Sequence, residues 1–196
     1  MFVRLKRRLR KLISPIRRRG LKNTDFTIIS NNCWAGVVYD ILGVKYNTPT
    51  IGCYFSSCDY VKFCSNLKYY LSLDLIQEKD DKKIVGRLDD IKINFVHYKS
   101  FEEAYEKWNR RKVRINFDNM IVKYSDQNEF NDNDYEVFSK LEYKKIFITS
   151  NLKYKECKNT IFIKKYEKQG YAVDDIKPSL KKMNIVKFIN EIESGE

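Results

Sequence analysis

Short apolar runs that alternate with amphipathic stretches constrain the fold of this chain more than any other feature of its sequence. The runs are rich in β-branched and aromatic residues, as in buried strands, and the stretches between them place apolar residues at helical spacing. Strands that alternate with helices form a largely parallel sheet with helices on both faces. The sequence therefore predicts a three-layer, Rossmann-like α/β fold. The predicted strands are residues 26–30, 50–55, 83–88, 91–97, 120–124, 145–150 and 160–164.

The helices are predicted from their apolar stripes and from the residues at their ends. Gly43 ends the first helix, and Ser100 with Glu103 forms a capping box ahead of a later one. An unbroken apolar stripe predicts one long helix over residues 57–73, and Asp89-Asp90 predicts a turn between two strands. The other predicted helices are residues 34–42, 101–113, 132–143 and 178–193.

Positive charge is concentrated in the first part of the chain. Ten of the 38 basic residues lie in residues 1–22, which contain no acid, and the other 28 nearly balance the 26 acidic residues. We therefore divide the chain into a basic N-terminal arm, residues 1–22, and a single α/β domain, residues 23–196. The arm has the pattern of a basic amphipathic helix on an anionic membrane, with a solvated tail or an RNA-binding segment as alternatives. Besides Lys22, its basic residues, assigned to membrane contact, are Arg4, Lys6, Arg7, Arg8, Arg10, Lys11, Arg17, Arg18 and Arg19.

The cysteines and the single histidine argue against a metal site. Five cysteines without a C-x-x-C spacing do not form the usual zinc site, and reduced thiols are typical of the cytoplasm. No apolar segment approaches the length of a membrane span, and charges interrupt every apolar stretch that could serve as a secretory signal. We expect a cytoplasmic protein, peripheral at the inner face of the membrane, that requires no cofactor and no metal. Cys53, Cys58 and Cys64 are expected in the core.

Three polar clusters follow predicted strands: Asn31-Asn32-Cys33, His97-Tyr98-Lys99-Ser100 and Ser125-Asp126. The ends of parallel strands gather at one edge of an α/β sheet, where ligands bind. If their strands are parallel, Cys33 and His97 converge there. Cys33 would also begin a helix, whose dipole favours a thiolate.

Cys33 and His97 are therefore the candidate catalytic pair, suited to acyl transfer. The alternatives are that Cys33 fills the core and that His97 caps a helix or satisfies a core hydrogen bond.

Further side chains are candidates for binding a sugar or a phosphate. Asn31, Asn32 and Asp126 lie in the strand-end clusters, although asparagines at such turns often bond their own backbone, a role we slightly favour. Arg111 continues the apolar stripe of Trp108, so it should point inward, toward a carboxylate or an anionic ligand. Trp108 itself is predicted to be core. Arg114, in the same basic segment, completes the predicted ligand-binding set.

Two stretches carry a family resemblance: ISNNCWAGVVYDILGVKYNTPTI at residues 29–51 and HYKSFEEAYEKWNRRKVRIN at residues 97–116. Together they resemble the bacterial domain-of-unknown-function family nineteen-nineteen (DUF1919), whose members are often labelled exopolysaccharide or capsule biosynthesis proteins. The resemblance extends over about residues 24–150. Ala35 stands where relatives commonly carry glycine, and Ile84-Val85-Gly86 replaces a stretch that usually contains Tyr-Pro. The matching positions are Asn31, Asn32, Cys33, Trp34, Gly36, His97, Tyr98, Ala104, Lys107, Trp108, Arg110, Arg111, Arg114, Ile115 and Asn116.

The resemblance implies an α/β fold and a role in surface-polysaccharide assembly, and it assigns no catalytic residue. The expected function is a transferase, acyl or glycosyl, that acts on a sugar intermediate at the cytoplasmic face of the membrane. Its substrate would be acyl-coenzyme A or a nucleotide sugar, and its partners the enzymes of polysaccharide assembly. The alternatives are a non-catalytic protein that binds a glycan or nucleotide sugar, and a nucleic-acid binder with a basic arm.

Overall fold

The strands and helices follow the predicted alternation. The computed structural model describes residues 13–191. The strands are β1 (Thr27–Ser30), β2 (Cys53–Tyr54), β3 (Ile76–Glu78), β4 (Ile84–Leu88), β5 (Ile91–Phe95), β6 (Met120–Ser125), β7 (Lys144–Thr149) and β8 (Thr160–Phe162). After helical residues 13–17, the helices are α1 (Trp34–Leu42), α2 (Ser57–Ser65), α3 (Leu67–Ser72), α4 (Phe101–Lys112), α5 (Asp132–Lys140), α6 (Ile176–Lys182) and α7 (Ile185–Asn190). Two 3-10 helices are Leu152–Tyr154 and Lys164–Gln169.

A parallel sheet forms the centre of the protein. Its strands lie in the order β1-β6-β7-β8, and every neighbouring pair is parallel. Successive residues of a strand point to opposite faces, so Ile28 packs against α1 and α7 while Ile29 packs against α2 and α5. The predicted α/β fold, a parallel sheet with helices on both faces and an N-terminal helix, is confirmed.

A second sheet is antiparallel and has the order β2-β5-β4-β3. A turn at Asp89-Asp90 joins β4 to β5, and Asp89 has the positive φ of 51° that is common in hairpin turns. Strands joined by such a short turn must be antiparallel. The condition that the strands before Cys33 and His97 be parallel strands of one sheet edge is not met, because β1 and β5 belong to different sheets.

Two predicted helices are each divided in two. Asn66 has non-helical backbone angles (φ −134°, ψ 51°) and separates α2 from α3, while Met183 is extended and separates α6 from α7. The apolar stripe along α2 and α3 is nevertheless buried as predicted. Its residues are Tyr60, Phe63, Leu67, Tyr70 and Leu71.

The end of the basic arm packs against the domain. Ser14 is buried next to Gly43, where a Cβ would collide with its hydroxyl, and Leu21 packs on the core. The backbone amide of Lys22 donates to Asn190 Oδ1 at 3.0 Å, and Asn190 Nδ2 donates to the Gly20 carbonyl at 2.7 Å. No helix within residues 13–191 is long and apolar enough to cross a membrane. The predicted membrane contacts outside the described residues are Arg4, Lys6, Arg7, Arg8, Arg10 and Lys11.

The cysteines are all free thiols. Cys53 and Cys64 are buried in the core as predicted, whereas the same prediction is wrong for Cys58, which is exposed on α2. The protein therefore carries both buried and exposed thiols. In the part of the chain that the structure describes, no group of three or more His, Cys, Asp or Glu side chains could hold a metal ion.

Candidate functional site

A cavity of about 330 Å³ brings Cys33 and His97 together although their strands lie in different sheets. Cys33 is the N-cap of α1, and His97 follows β5. The backbone amide of Phe55 donates to the Asn31 carbonyl at 3.1 Å, which joins the loop after β1 to the end of β2. Val96 and His97 both donate to the Gly52 carbonyl, at 3.0 and 3.3 Å. The Cys33 cavity is lined by Cys33, Gly36, Val37, Asp40, Tyr46, Ile51, Gly52, His97, Tyr98, Lys107 and Arg111.

Gly52 permits this close approach of the two segments. Its φ of +73° favours glycine, and a Cβ there would lie 3.2 Å from His97 Cβ and 3.2 Å from the Tyr98 ring. The hydroxyl of Tyr98 donates to the carbonyl of Ile51, which fixes its ring at the wall of the cavity. Burial raises the pKa of Tyr98 to about 12, so its hydroxyl stays protonated at neutral pH.

The Cys33 thiol is not the activated thiolate that its place at a helix N-terminus predicts. Burial raises the pKa of the Cys33 thiol; the Asp175 carboxylate raises it further, and the Lys123 ammonium opposes both. His97 is exposed, and no hydrogen bond joins it to Cys33 within residues 13–191. The expected depression of the Cys33 pKa is therefore wrong, because burial and the Asp175 charge together outweigh the opposing charge of Lys123.

Arg111 is the buried cation of the cavity. Only 7% of the residue is exposed, which confirms that it points inward. Its guanidinium donates to the Tyr98 hydroxyl at 2.8 Å and lies over the Tyr46 ring at 5.2 Å. Among the described residues no carboxylate lies within ion-pair distance of it. A guanidinium has five N–H donors, so Arg111 keeps capacity for a further partner.

A buried cluster of polar side chains lies at the carboxyl end of β1 and β6. Lys123 is fully buried and donates to Asn31 Oδ1 at 3.1 Å, Asn32 Oδ1 at 3.0 Å and Ser125 Oγ at 3.2 Å. It also forms an ion pair with Asp175, which accepts from Asn32 Nδ2 at 2.9 Å. Burial lowers the pKa of Lys123, and the Asp175 charge opposes that shift. We call these five residues the Lys123 cluster.

The Lys123 cluster explains the positions of the two asparagines. The side-chain oxygens of both asparagines accept hydrogen bonds from Lys123, and Asn32 Oδ1 also accepts from the backbone amide of Trp34 at 3.1 Å. These are the internal bonds that a loop-forming role predicts. Neither asparagine lines the Cys33 cavity.

Asp126 and Arg114 lie away from the Cys33 cavity. Asp126 is buried and accepts from Thr149 Oγ1 at 2.6 Å and from the backbone amides of Ser150 and Ala172 at 2.9 and 2.8 Å. Burial raises its pKa. These bonds occupy both carboxylate oxygens. Arg114 lines a separate groove of about 990 Å³ with Arg18 and donates to the Tyr46 carbonyl at 3.5 Å.

The sequence interpretation missed Lys123 and Asp175. Lys123 had a usable signal, because it is the one charged residue in an apolar strand, and lysine is rarely buried without a partner. Asp175 had none, since it follows Asp174 in a polar segment far along the chain.

The DUF1919 domain-of-unknown-function family model matches residues 4–194, nearly the whole chain. The chain belongs to the DUF1919 family. A relative, an uncharacterized protein of Haemophilus influenzae, is 32% identical over 169 residues, which cover 86% of this chain and 82% of the relative. The predicted family is therefore confirmed.

Some of the positions that carried the DUF1919 resemblance line the Cys33 cavity, and others lie away from it. Cys33, Gly36, His97, Tyr98, Lys107 and Arg111 line the Cys33 cavity. The backbone amide of Asn116 donates to Thr27 Oγ1 at 2.8 Å, and its side chain donates to Asp25 at 3.1 Å. In this DUF1919 protein the two resembling stretches thus meet at one cavity, while Asn116 binds the beginning of β1, away from that cavity.

Proposed function

We propose that this DUF1919 protein binds an anionic sugar intermediate, a sugar phosphate or a nucleotide sugar, in the Cys33 cavity, as a transferase in the assembly of extracellular polysaccharide. Arg111 carries the proposal. Burying a guanidinium without a carboxylate is costly, and its planar fork suits a phosphate or a carboxylate. An anionic ligand would supply the ion-pair partner that Arg111 lacks among the described residues.

Other groups of the cavity suit a sugar phosphate. Lys107 lines the same cavity and adds a second positive charge, and the His97 imidazole adds a further hydrogen-bonding group. Asp40 accepts from the Tyr46 hydroxyl at 2.7 Å and adds an acceptor to the wall. A volume of about 330 Å³ is near the lower end for ligand sites, so a sugar phosphate fits within it and a nucleotide would extend outside.

Arg111→Met is expected to weaken the binding of such ligands by about tenfold to a hundredfold, because it removes the buried hydrogen-bonding charge. Calorimetric titration with glucose 1-phosphate and a panel of nucleoside diphosphate sugars measures the effect. Arg110→Met is the matched control, since Arg110 is exposed and pairs with Glu106 on the outer face of α4. Equal affinities for wild type and Arg111→Met, or no binding by wild type, would refute the proposal.

Acyl transfer is the second candidate reaction, favoured by the position of Cys33 at the N-terminus of α1 in the same cavity as His97. Attack of Cys33 Sγ on the carbonyl of an acyl-coenzyme A would release the coenzyme thiol, which takes up the proton of Cys33. The acyl group would then pass to a sugar hydroxyl. An acylated Cys33 peptide, detected by mass spectrometry after incubation with acyl-coenzyme A, is the result that this reaction requires.

We further propose that the basic arm holds the protein at an anionic membrane, the inner face in a bacterium. Deleting residues 1–12 removes six basic residues but leaves the contacts of Ser14 and Leu21 with the domain. We expect salt-sensitive binding to phosphatidylserine vesicles to be lost, at about 1 kcal/mol for each charge removed, while the melting temperature stays the same. Phosphatidylcholine vesicles are the control. Equal vesicle binding with and without residues 1–12 would contradict the proposal.

A further inference from the structure

The Lys123 cluster holds the loop that carries Cys33 on both sides of that residue. Lys123 binds the side-chain oxygens of Asn31 and Asn32, which precede Cys33, and Asn32 Oδ1 also accepts from the amide of Trp34, which follows it. A buried lysine with this many oxygen partners fixes the loop, because each bond would be lost if the loop moved. Lys123 therefore determines where the Cys33 thiol stands.

Asp175 reaches the cluster from the segment that leads into α6. Its carboxylate binds Lys123 and Asn32, and Ser179 of α6 accepts from the Trp34 indole at 2.9 Å. The beginning of α6 is thus attached to the beginning of α1 at two points. A negative charge from the C-terminal part of the chain is thereby brought close to Cys33.

We propose that Lys123 and Asp175 are positioning residues that control the reactivity of Cys33: Lys123 fixes the loop that carries it, and Asp175 anchors both Lys123 and Asn32 from the start of α6. A role for these two residues in catalysis rests on the proposed acyl transfer through Cys33. Their control of thiol reactivity is independent of that reaction, because it can be measured without substrate.

Charged and titratable groups reach Cys33 from several elements. Asp175 lies ahead of α6, Lys123 on β6 and Cys53 on β2, while the Asp126 carboxylate acts on Lys123 rather than on Cys33. From the cavity wall, the groups that share the space with Cys33 are Asp40, His97, Lys107 and Arg111. Among these groups, the Asp175 carboxylate raises the pKa of the Cys33 thiol and the Lys123 ammonium lowers it. Removing the Asp175 charge therefore lowers the Cys33 pKa and increases the thiolate fraction at a given pH.

The test is the pH dependence of iodoacetamide labelling on the full chain, with each cysteine peptide followed by mass spectrometry. Only the thiolate reacts, so the midpoint of the pH profile reports the thiol pKa. In wild type, we expect the Cys33 midpoint to lie above that of the same peptide in the denatured chain. In Asp175→Asn, which keeps the shape and the hydrogen-bonding capacity of the side chain, we expect the profile to move to lower pH and labelling at pH 7 to rise several-fold.

The protein supplies its own controls. Cys53 and Cys64 are buried, so they label only if a variant unfolds, and exposed Cys58 reports any general change in reactivity. Asp174→Asn is the matched variant, because within residues 13–191 the Asp174 side chain accepts only from the backbone amides of Ile176 and Lys177. It should reproduce the wild-type profile.

Two outcomes overturn the proposal. One is an unchanged Cys33 profile in Asp175→Asn while Cys53 and Cys64 stay protected. The other is a wild-type Cys33 midpoint at or below that of the denatured chain, which is decisive even if Asp175→Asn fails to fold. A shifted profile without acylation of Cys33 would support the positioning pair and refute acyl transfer alone.

Discussion

Replacing Lys123 with methionine is expected to lower the free energy of unfolding by about 3–5 kcal/mol. The substitution leaves the Asp175 carboxylate buried without its ion pair and deprives the oxygens of Asn31 and Asn32 of their common donor. Uncompensated buried charge is among the costliest defects in a folded protein. Equilibrium denaturation in urea measures the loss.

The control is a lysine in an ordinary surface ion pair. Lys62 binds Asp90 at 2.8 Å, but both side chains are about half exposed. Lys62→Met should leave the stability nearly unchanged, because exposed ion pairs contribute little. If Lys123→Met were as stable as Lys62→Met, the Lys123 cluster could not be holding the edge of the sheet.

Replacing Trp108 with alanine is expected to cost about 3–5 kcal/mol of unfolding free energy as well. Trp108 is fully buried, and its ring centre lies 6.2 Å from that of Phe63 and 6.2 Å from that of Phe95. The cost combines lost apolar burial with the cavity that alanine would leave between α4 and the antiparallel sheet. Denaturant titration of the purified variant provides the measurement.

Two further variants sharpen the Trp108 prediction. The indole nitrogen of Trp108 has no hydrogen-bond partner among the described residues, so Trp108→Phe should cost clearly less than Trp108→Ala. Tyr105 lies on the same helix but is 39% exposed, and Tyr105→Ala should cost much less than either. A Trp108→Ala protein with wild-type stability that had lost only ligand binding would assign Trp108 to the site instead of the core.

Much of the fold was predictable because its strands and helices have strong local patterns. The apolar runs gave β1, β6, β7 and β8, and the cap at Ser100 gave the start of α4, where Ser100 Oγ accepts from the amide of Glu103 at 3.3 Å. The breaks at Asn66 and Met183 were both missed. At Asn66 the reason is that the apolar stripe continues across the break. Periodicity records which face is buried, not whether the backbone is continuous.

The candidate site was only partly predictable because its members meet through long-range contacts. The resembling stretches pointed to Cys33, His97 and Arg111, and all three line one cavity. Their convergence depends on the pairing of β2 with β5, which no local pattern encodes. The pKa of Cys33 was predicted in the wrong direction for the same reason, since burial and the Asp175 charge come from distant parts of the chain.

The pairing of Lys123 with Asp175 has a consequence for synthesis of the chain on the ribosome. Asp175 is added 52 residues after Lys123, which at bacterial and eukaryotic elongation rates is a delay of about 3–10 s. During that interval β1, β6 and β7 can emerge and pair, but the lysine in the middle strand has no counter-charge to bury with it. The carboxyl end of the parallel sheet is therefore completed late. Until the start of α6 has been synthesised, the Lys123 ammonium at that end stays hydrated.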